Sequence, residues 1–264
     1  MTRFRATLAY DGTAYYGYQI QPDYPTIQGE LELALERIFK QVTKVDAAGR
    51  TDTGVHATGQ VIAFDAEWKH GNDALLRAIN ATLPDDIALQ DIRQQANFHP
   101  RFDALSRTYR YRVAVVQVRQ PLLIKRAWQM QNKLDVTVMQ RASESLVGEH
   151  DFAAFGNPPQ GNNTVRTIFR SVWHIEETPY GMQYIYEVEA TAFLHHMVRR
   201  LVGIQVATGS ERITPGKLQD VFHSRDLSQN RWIAPPYGLT LTQVDYPPEG
   251  MTRDEYNNAQ GQRN

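Results

Sequence analysis

The sequence predicts an α+β fold of two similar halves, each a largely antiparallel mixed sheet flanked by helices. Three observations carry this. Segments of strict apolar/polar alternation appear in both halves, separated by capped segments of helical period, in the order strand, helix, strand each time. Tyr180-Gly181 reads as a tight turn between two adjacent strand patterns, so hairpins mix with single crossovers. No residue identity between the halves is visible, so the shared order only hints at duplication. A boundary is expected near residue 100, giving an N-terminal half at 1–100, a C-terminal half at 101–246 and a polar tail at 247–264. A duplicated plan offers a cleft between halves, a common place for a site.

In order, Phe4, Ala6, Leu8 and Tyr10 alternate as a half-buried strand over residues 3 to 10. The Gly- and Tyr-rich loop Asp11 to Pro25 follows. Thr26 caps a helix with Ile27, Leu31, Leu35, Ile38 and Phe39 on one face and Glu30, Glu32 and Glu36 turned away. Residues 49 to 60 form a polar, glycine-rich loop, and Gln60 to Ala66 reads as a strand. Asn72 caps a second helix, which Pro84 ends, and Ile87 to Ile92 is a short strand. Arg107 to Val118 is a long alternating strand with Tyr109, Tyr111, Val113 and Val115 on one face. Asp135 caps a helix that ends at Gly148, and residues 149 to 165 read as a loop. Arg166 to Glu177 and Met182 to Ala192 make the hairpin. Leu194 to Thr208 is a helix, Thr214-Pro215 opens another, Gly238 to Tyr246 is the last strand, and the tail reads as loose.

Composition narrows the chemistry. With no cysteine, the chain has no disulfide framework, thiolate nucleophile or Cys-based metal site. Neither a Walker A nor a dinucleotide glycine pattern occurs. The N-terminus lacks the apolar core of a signal peptide and no run approaches membrane-spanning length, so a soluble cytoplasmic protein is expected. A net charge of −1 argues against a nucleic-acid partner, but the charge is unevenly placed. From His99 to Arg126, Arg101, Arg107, Arg110, Arg112, Arg119, Lys125 and Arg126 face one acid, Asp103. Such a stretch is either a solvated strand face or a phosphate-binding stripe.

Four residues stand out as candidates. Thr51-Asp52-Thr53-Gly54 suits a plain type I turn. Asp52 is also the sharpest chemical candidate, because Arg50 favours its ionised form, as a nucleophile or base requires. Tyr109 begins a strand whose other face carries Arg110 and Arg112, a pattern fit for stacking bases and holding phosphates, whereas Tyr111 reads as core. Arg199 and Arg200 fall near the start of a helix, where the dipole disfavours cations. They call for an anion, either a carboxylate such as Asp52 or an RNA phosphate. His195 and His196 are adjacent and should face different sides of that helix, which argues against metal binding.

Taken together, Tyr10-Asp11-Gly12 with Tyr15-Tyr16-Gly17 and Gln19, Thr26-Ile27-Gln28, Gly49-Arg50-Thr51-Asp52 with Gly54-Val55-His56 and Gly59-Gln60, Arg107 to Tyr111, Gly148 to Phe152, Phe193 to Arg199, and Gly238-Leu239 with Val244 and Tyr246 resemble the TruA family of tRNA pseudouridine synthases. The matches keep the family's order over residues 10 to 246. Tyr18 stands where the family commonly has Trp, and Thr53 where Ala is frequent. The resemblance implies isomerisation of uridine to pseudouridine in the tRNA anticodon stem-loop, at positions 38 to 40 in tRNA numbering. It also implies no metal or organic cofactor and a homodimer that binds tRNA across both subunits; no membrane partner is expected. By motif match, Asp52 is the catalytic aspartate, Tyr109 packs on the target base, and Arg50 and Arg199 line the pocket.

Overall fold

The structure is a computed structural model that describes residues 1–261. In chain order its elements are β1 (Thr2–Tyr10), α1 (Ile27–Phe39), β2 (Asp46–Ala47), β3 (His56–Ala66), α2 (Asn72–Asn80), β4 (Ile87–Gln94), β5 (Ser106–Val115), β6 (Trp128–Met130), α3 (Val136–Glu144), β7 (Gly148–Asp151), β8 (Val165–Thr178), β9 (Gly181–Ala190), α4 (Met197–Gly209), α5 (Pro215–Ser224), β10 (Leu239–Asp245) and α6 (Arg253–Gly261). They form two compact units: Met1–Arg107 with the chain from Leu241 on, and Thr108–Thr240. Each sets a largely antiparallel sheet against helices, as the α+β expectation requires. Among the described residues no helix is long and apolar enough to cross a membrane.

In the first unit the strand order is β4-β1-β3-β10, with β2 also paired to β3. The alternation of β1 buries Phe4, Ala6, Leu8 and Tyr10, and Phe4 stacks on Phe64 of β3 at 5.6 Å. Thr26 caps α1 by accepting from the Gly29 N–H at 3.2 Å, and Ile27, Leu31 and Leu35 are buried. The β1–β3 register shifts between Leu8, which faces Gln60, and Tyr10, which faces Ala57, a bulge near the start of β3. β10 lies against β3 so closely that a Cβ on Gly59 would stand 2.1 Å from the Thr242 carbonyl oxygen.

In the second unit the order is β5-β9-β8-β7, with β6 parallel to β5. Helix α4 is buried along most of its length; its Gln205 accepts from the Trp173 indole N–H at 2.8 Å. Tyr111 is fully buried and donates its O–H to the Pro235 carbonyl at 2.8 Å, so the core reading of this residue holds.

Six local expectations change. The strand expected to reach Val118 ends at Val115, because the Val116 N–H donates to Met130 of β6 and the chain turns away. Part of the expected 149–165 loop is β7, paired His150↔Arg166; backbone pairing needs no apolar alternation, so the pattern hid it. Gly71 rather than Asn72 caps α2, with no side-chain bond. Helix α4 starts at Met197, not Leu194, since His196 has φ +62°, outside a right-handed helix. His195 and His196 therefore sit on the preceding turn with their rings stacked at 3.7 Å, rather than on opposite helix faces. The tail contains α6, opened by a reciprocal capping box. The Thr252 N–H donates to the Glu255 carboxylate at 2.7 Å and the Glu255 N–H to Thr252 Oγ1 at 3.2 Å. The end of the expected tail, 262–264, lies outside the described residues.

Candidate active site

Asp52 lies on the loop between β2 and β3, half-buried, beside an exposed Arg50. The expected type I turn over Thr51–Gly54 is not the one formed: the turn lies one residue later, where the Val55 N–H donates to the Asp52 carbonyl at 3.1 Å, and Gly54 at φ +77° excludes type I. More holds this loop than a turn needs. The Tyr10 and Thr51 hydroxyls are hydrogen-bonded at 2.8 Å in a buried contact. The Tyr18 N–H donates to the Thr51 carbonyl at 3.0 Å, and the Gln60 side-chain amide donates to the Gly49 carbonyl at 2.8 Å. Burial pushes the Tyr10 phenol up to about 12, against the pull of its bonds to Thr51 and Gln60, so it stays neutral behind the carboxylate.

The segment after β1 presses on the same loop. A Cβ on Gly12 would stand 2.0 Å from the Val55 carbonyl oxygen, so only glycine fits. Gly17 holds φ +90° with its Cβ position 2.9 Å from the Thr51 carbonyl oxygen. His56 Nδ1 lies 2.9 Å from an Asp11 carboxylate oxygen and 3.2 Å from the Gly12 nitrogen. With a proton on Nδ1 it donates to Asp11; without one it accepts from the Gly12 N–H. Either way it ties the β1 exit to the start of β3.

The other two candidates belong to the second unit. Tyr109, on β5, is half-buried with its ring edge-on to Phe193, centroids 5.2 Å apart at 89°. Arg199, in the first turn of α4, is clamped to Ala234. Its Nε donates to the Ala234 carbonyl at 2.9 Å, and the Ala234 N–H donates to the Arg199 carbonyl at 2.9 Å. A carbonyl thus takes one of the donors for which an anion was expected, offsetting part of the cost of a cation at a helix N-terminus.

The basic stretch is thinner at the surface than in the sequence. Arg107 is buried and serves the first unit's fold, donating to the Ala48 carbonyl at 3.0 Å and the Arg101 carbonyl at 2.8 Å. Arg110 pairs with Glu187 at 3.2 Å, and Arg170 pairs with the same carboxylate. Burial works against the charged Glu187, but the Arg110 hydrogen bond and the two guanidinium charges outweigh it and lower its pKa. Sequence reasoning missed three supports of the site: the Tyr10–Thr51 hydroxyl pair, the edge of Phe193 and the Ala234 clamp. Tyr10 and Phe193 stand inside the quoted motifs, but nothing in the alternation of β1 separates Tyr10 from a plain core residue.

A family model described as tRNA pseudouridine synthase matches residues 6–103 and 142–247. Arg50 and Asp52 fall in the first segment and Arg199 in the second, while Tyr109 lies between them. Three bacterial proteins described as tRNA pseudouridine synthase A are similar to this chain along nearly all of both lengths. The Pseudothermotoga lettingae protein is 41% identical over 248 residues, covering 93% of this chain and 100% of the relative. That of Paraburkholderia phymatum is 41% identical, covering 94% and 92%. That of Neisseria meningitidis is 42% identical, covering 93% and 92%.

Proposed function

The chain belongs to the tRNA pseudouridine synthase family and isomerises uridine in tRNA, and from that premise we propose which residues do so and where. The uridines are those of the anticodon stem-loop, positions 38 to 40 in tRNA numbering. In each, the N1–C1′ bond breaks, the base turns, C5 joins C1′, C5 loses its proton and N1 gains one. No atom is added and no electron leaves, so the reaction balances without a metal or organic cofactor. Asp52 is the catalytic carboxylate; its ionised form starts the exchange as nucleophile or base. Tyr109 stacks on the target base and offsets part of the few kcal/mol needed to take it out of the stack. Arg50 and Arg199 bind the same nucleotide through its anionic backbone. The enzyme works as a homodimer in the cytoplasm.

The observation that carries this reading is the support of Asp52. A buried hydroxyl pair, two backbone approaches open only to glycine and a side-chain amide all converge on its loop. A connecting turn needs none of these. The deciding experiment is tritium release from tRNA labelled at uridine C5. Asp52→Asn is expected to lose release by about 10²–10⁴-fold while still binding tRNA. Equal release from both proteins would remove Asp52 from the chemistry. Binding without release by the wild type would make the chain an RNA-binding protein instead. Tyr109→Phe keeps the ring, so a fall in its release would give the hydroxyl a part in removing the C5 proton.

A further inference from the structure

The second unit carries a cavity of about 420 Å³ whose lining includes none of the residues assigned above. That lies within the range of small-ligand sites, roughly 300–1,000 Å³. Val116, Ala127 and Met130 make its floor, Arg119 and Lys125 stand on its lining, and Tyr237 forms a wall. The loop that builds it is held in place. Ala114, Val116 and Ala127 form a small buried cluster with Leu123 packed on it. The Gln129 side chain clamps Gln120, accepting from its N–H at 2.7 Å and donating to its carbonyl at 2.9 Å. Lys125 adopts φ +59°, with its ammonium 5.4 Å from the centre of the Tyr237 ring. Beside this, Val118, Leu122 and Ile124 are 71%, 81% and 48% exposed, an apolar surface left open next to the cations.

Charge selects the occupant. Between Ala104 and Leu134 the sequence contains no Asp or Glu, although acids outnumber Lys and Arg over the whole chain, 29 to 28. An acid-free cavity with an apolar floor, an aromatic wall and cations on its lining fits an anion that carries a flat ring. We propose that it takes one nucleotide of the tRNA other than the target uridine, with the phosphate on Arg119 and Lys125 and the base against Tyr237 and the apolar floor. The proposal rests on the reading that this chain acts on tRNA, and it adds a second contact point to that reading. A partner surface on protein would have to bring carboxylates to the same cations, and the acid-free stretch offers none to a second copy from this face.

The test is fluorescence anisotropy of an unmodified tRNA transcript against wild type, Arg119→Glu, Arg119→Lys and Ile124→Glu at several salt concentrations. Each protein is also run by sedimentation velocity, and wild type is assayed for tritium release. Arg119→Glu is expected to weaken Kd about tenfold and to reduce the salt slope by about one. Arg119→Lys should recover most of the affinity, and Ile124→Glu, which puts a carboxylate at the pocket, should weaken binding in the same direction. Equal Kd and slope across all four proteins would overturn the pocket while the release assay still upheld the isomerase. Changed sedimentation with unchanged Kd would give this face to a second copy and overturn the pocket as well. A wild type that neither binds tRNA nor releases tritium would overturn the underlying reading and the pocket together.

Discussion

The two stretches that carry the candidate residues are fixed by opposite means. The Asp52 loop of the first unit is held by close backbone approaches and a buried pair of neutral hydroxyls. The Arg199 stretch of the second unit is held through a helix start, with the charged side chain itself tied to a carbonyl. The difference suits the roles proposed for the two groups. A carboxylate proposed to react is well placed through its backbone neighbours, and the Asp52 loop is held in that way at the backbone of Thr51. A guanidinium that only binds can be held by its own donors, since it has several and needs only some for the ligand.

Gly12→Ala drives a methyl into the Val55 carbonyl and should cost about 3 kcal/mol in urea unfolding. Gly203→Ala in α4, 2.7 Å from the Trp232 carbonyl oxygen, should cost less, because the gentler overlap is partly offset by better helix propensity. A reversed order would break the comparison. Tyr10→Phe removes the hydroxyl behind Thr51 and should lower kcat by about 10-fold or more, with KM little changed. Steady-state tritium release measures that split, and a loss confined to KM would show that Tyr10 does not position the loop. Arg199→Gln should instead raise KM for tRNA by roughly tenfold, the cost of one charged contact.

The smallest effect concerns Glu187, whose folded pKa lies below its ordinary value of 4.5. Its contribution is therefore present above that ordinary value and is lost as pH falls through the depressed folded value. Glu187→Gln should cost at most about 1 kcal/mol at pH 7, since both arginines are partly solvated. The gap from wild type should narrow as the pH is taken down from 7 to below 4.5 in urea melts. A gap that persisted would mean that packing, not charge, carries the contribution.

Much of the fold was legible because local chemistry decided it. Thr26, Asp135 and Thr214 cap helices where the sequence placed caps, and the alternation in β1 buries the expected four residues. The misses share a cause. The β2 and β6 strands are two and three residues long and exist only through pairing with β3 and β5. β7 pairs through its backbone under polar side chains. Thr252 and Glu255 had the spacing of a capping box, but no apolar run followed to mark a helix.

The sequence by itself determined the α+β class, the main helices and their caps, and the family, because periodicity, capping and ordered motifs are properties of neighbours along the chain. It also singled out Asp52, Arg50, Tyr109 and Arg199 as residues. Tertiary structure decided their surroundings. It took Arg107 out of the basic stripe and buried it among carbonyls, and it brought β10 back against β3 so that position 59 must be glycine. It also set a phenol behind Thr51. Those outcomes depend on which carbonyl or hydroxyl faces a side chain across tens of residues of separation, and no local pattern encodes that.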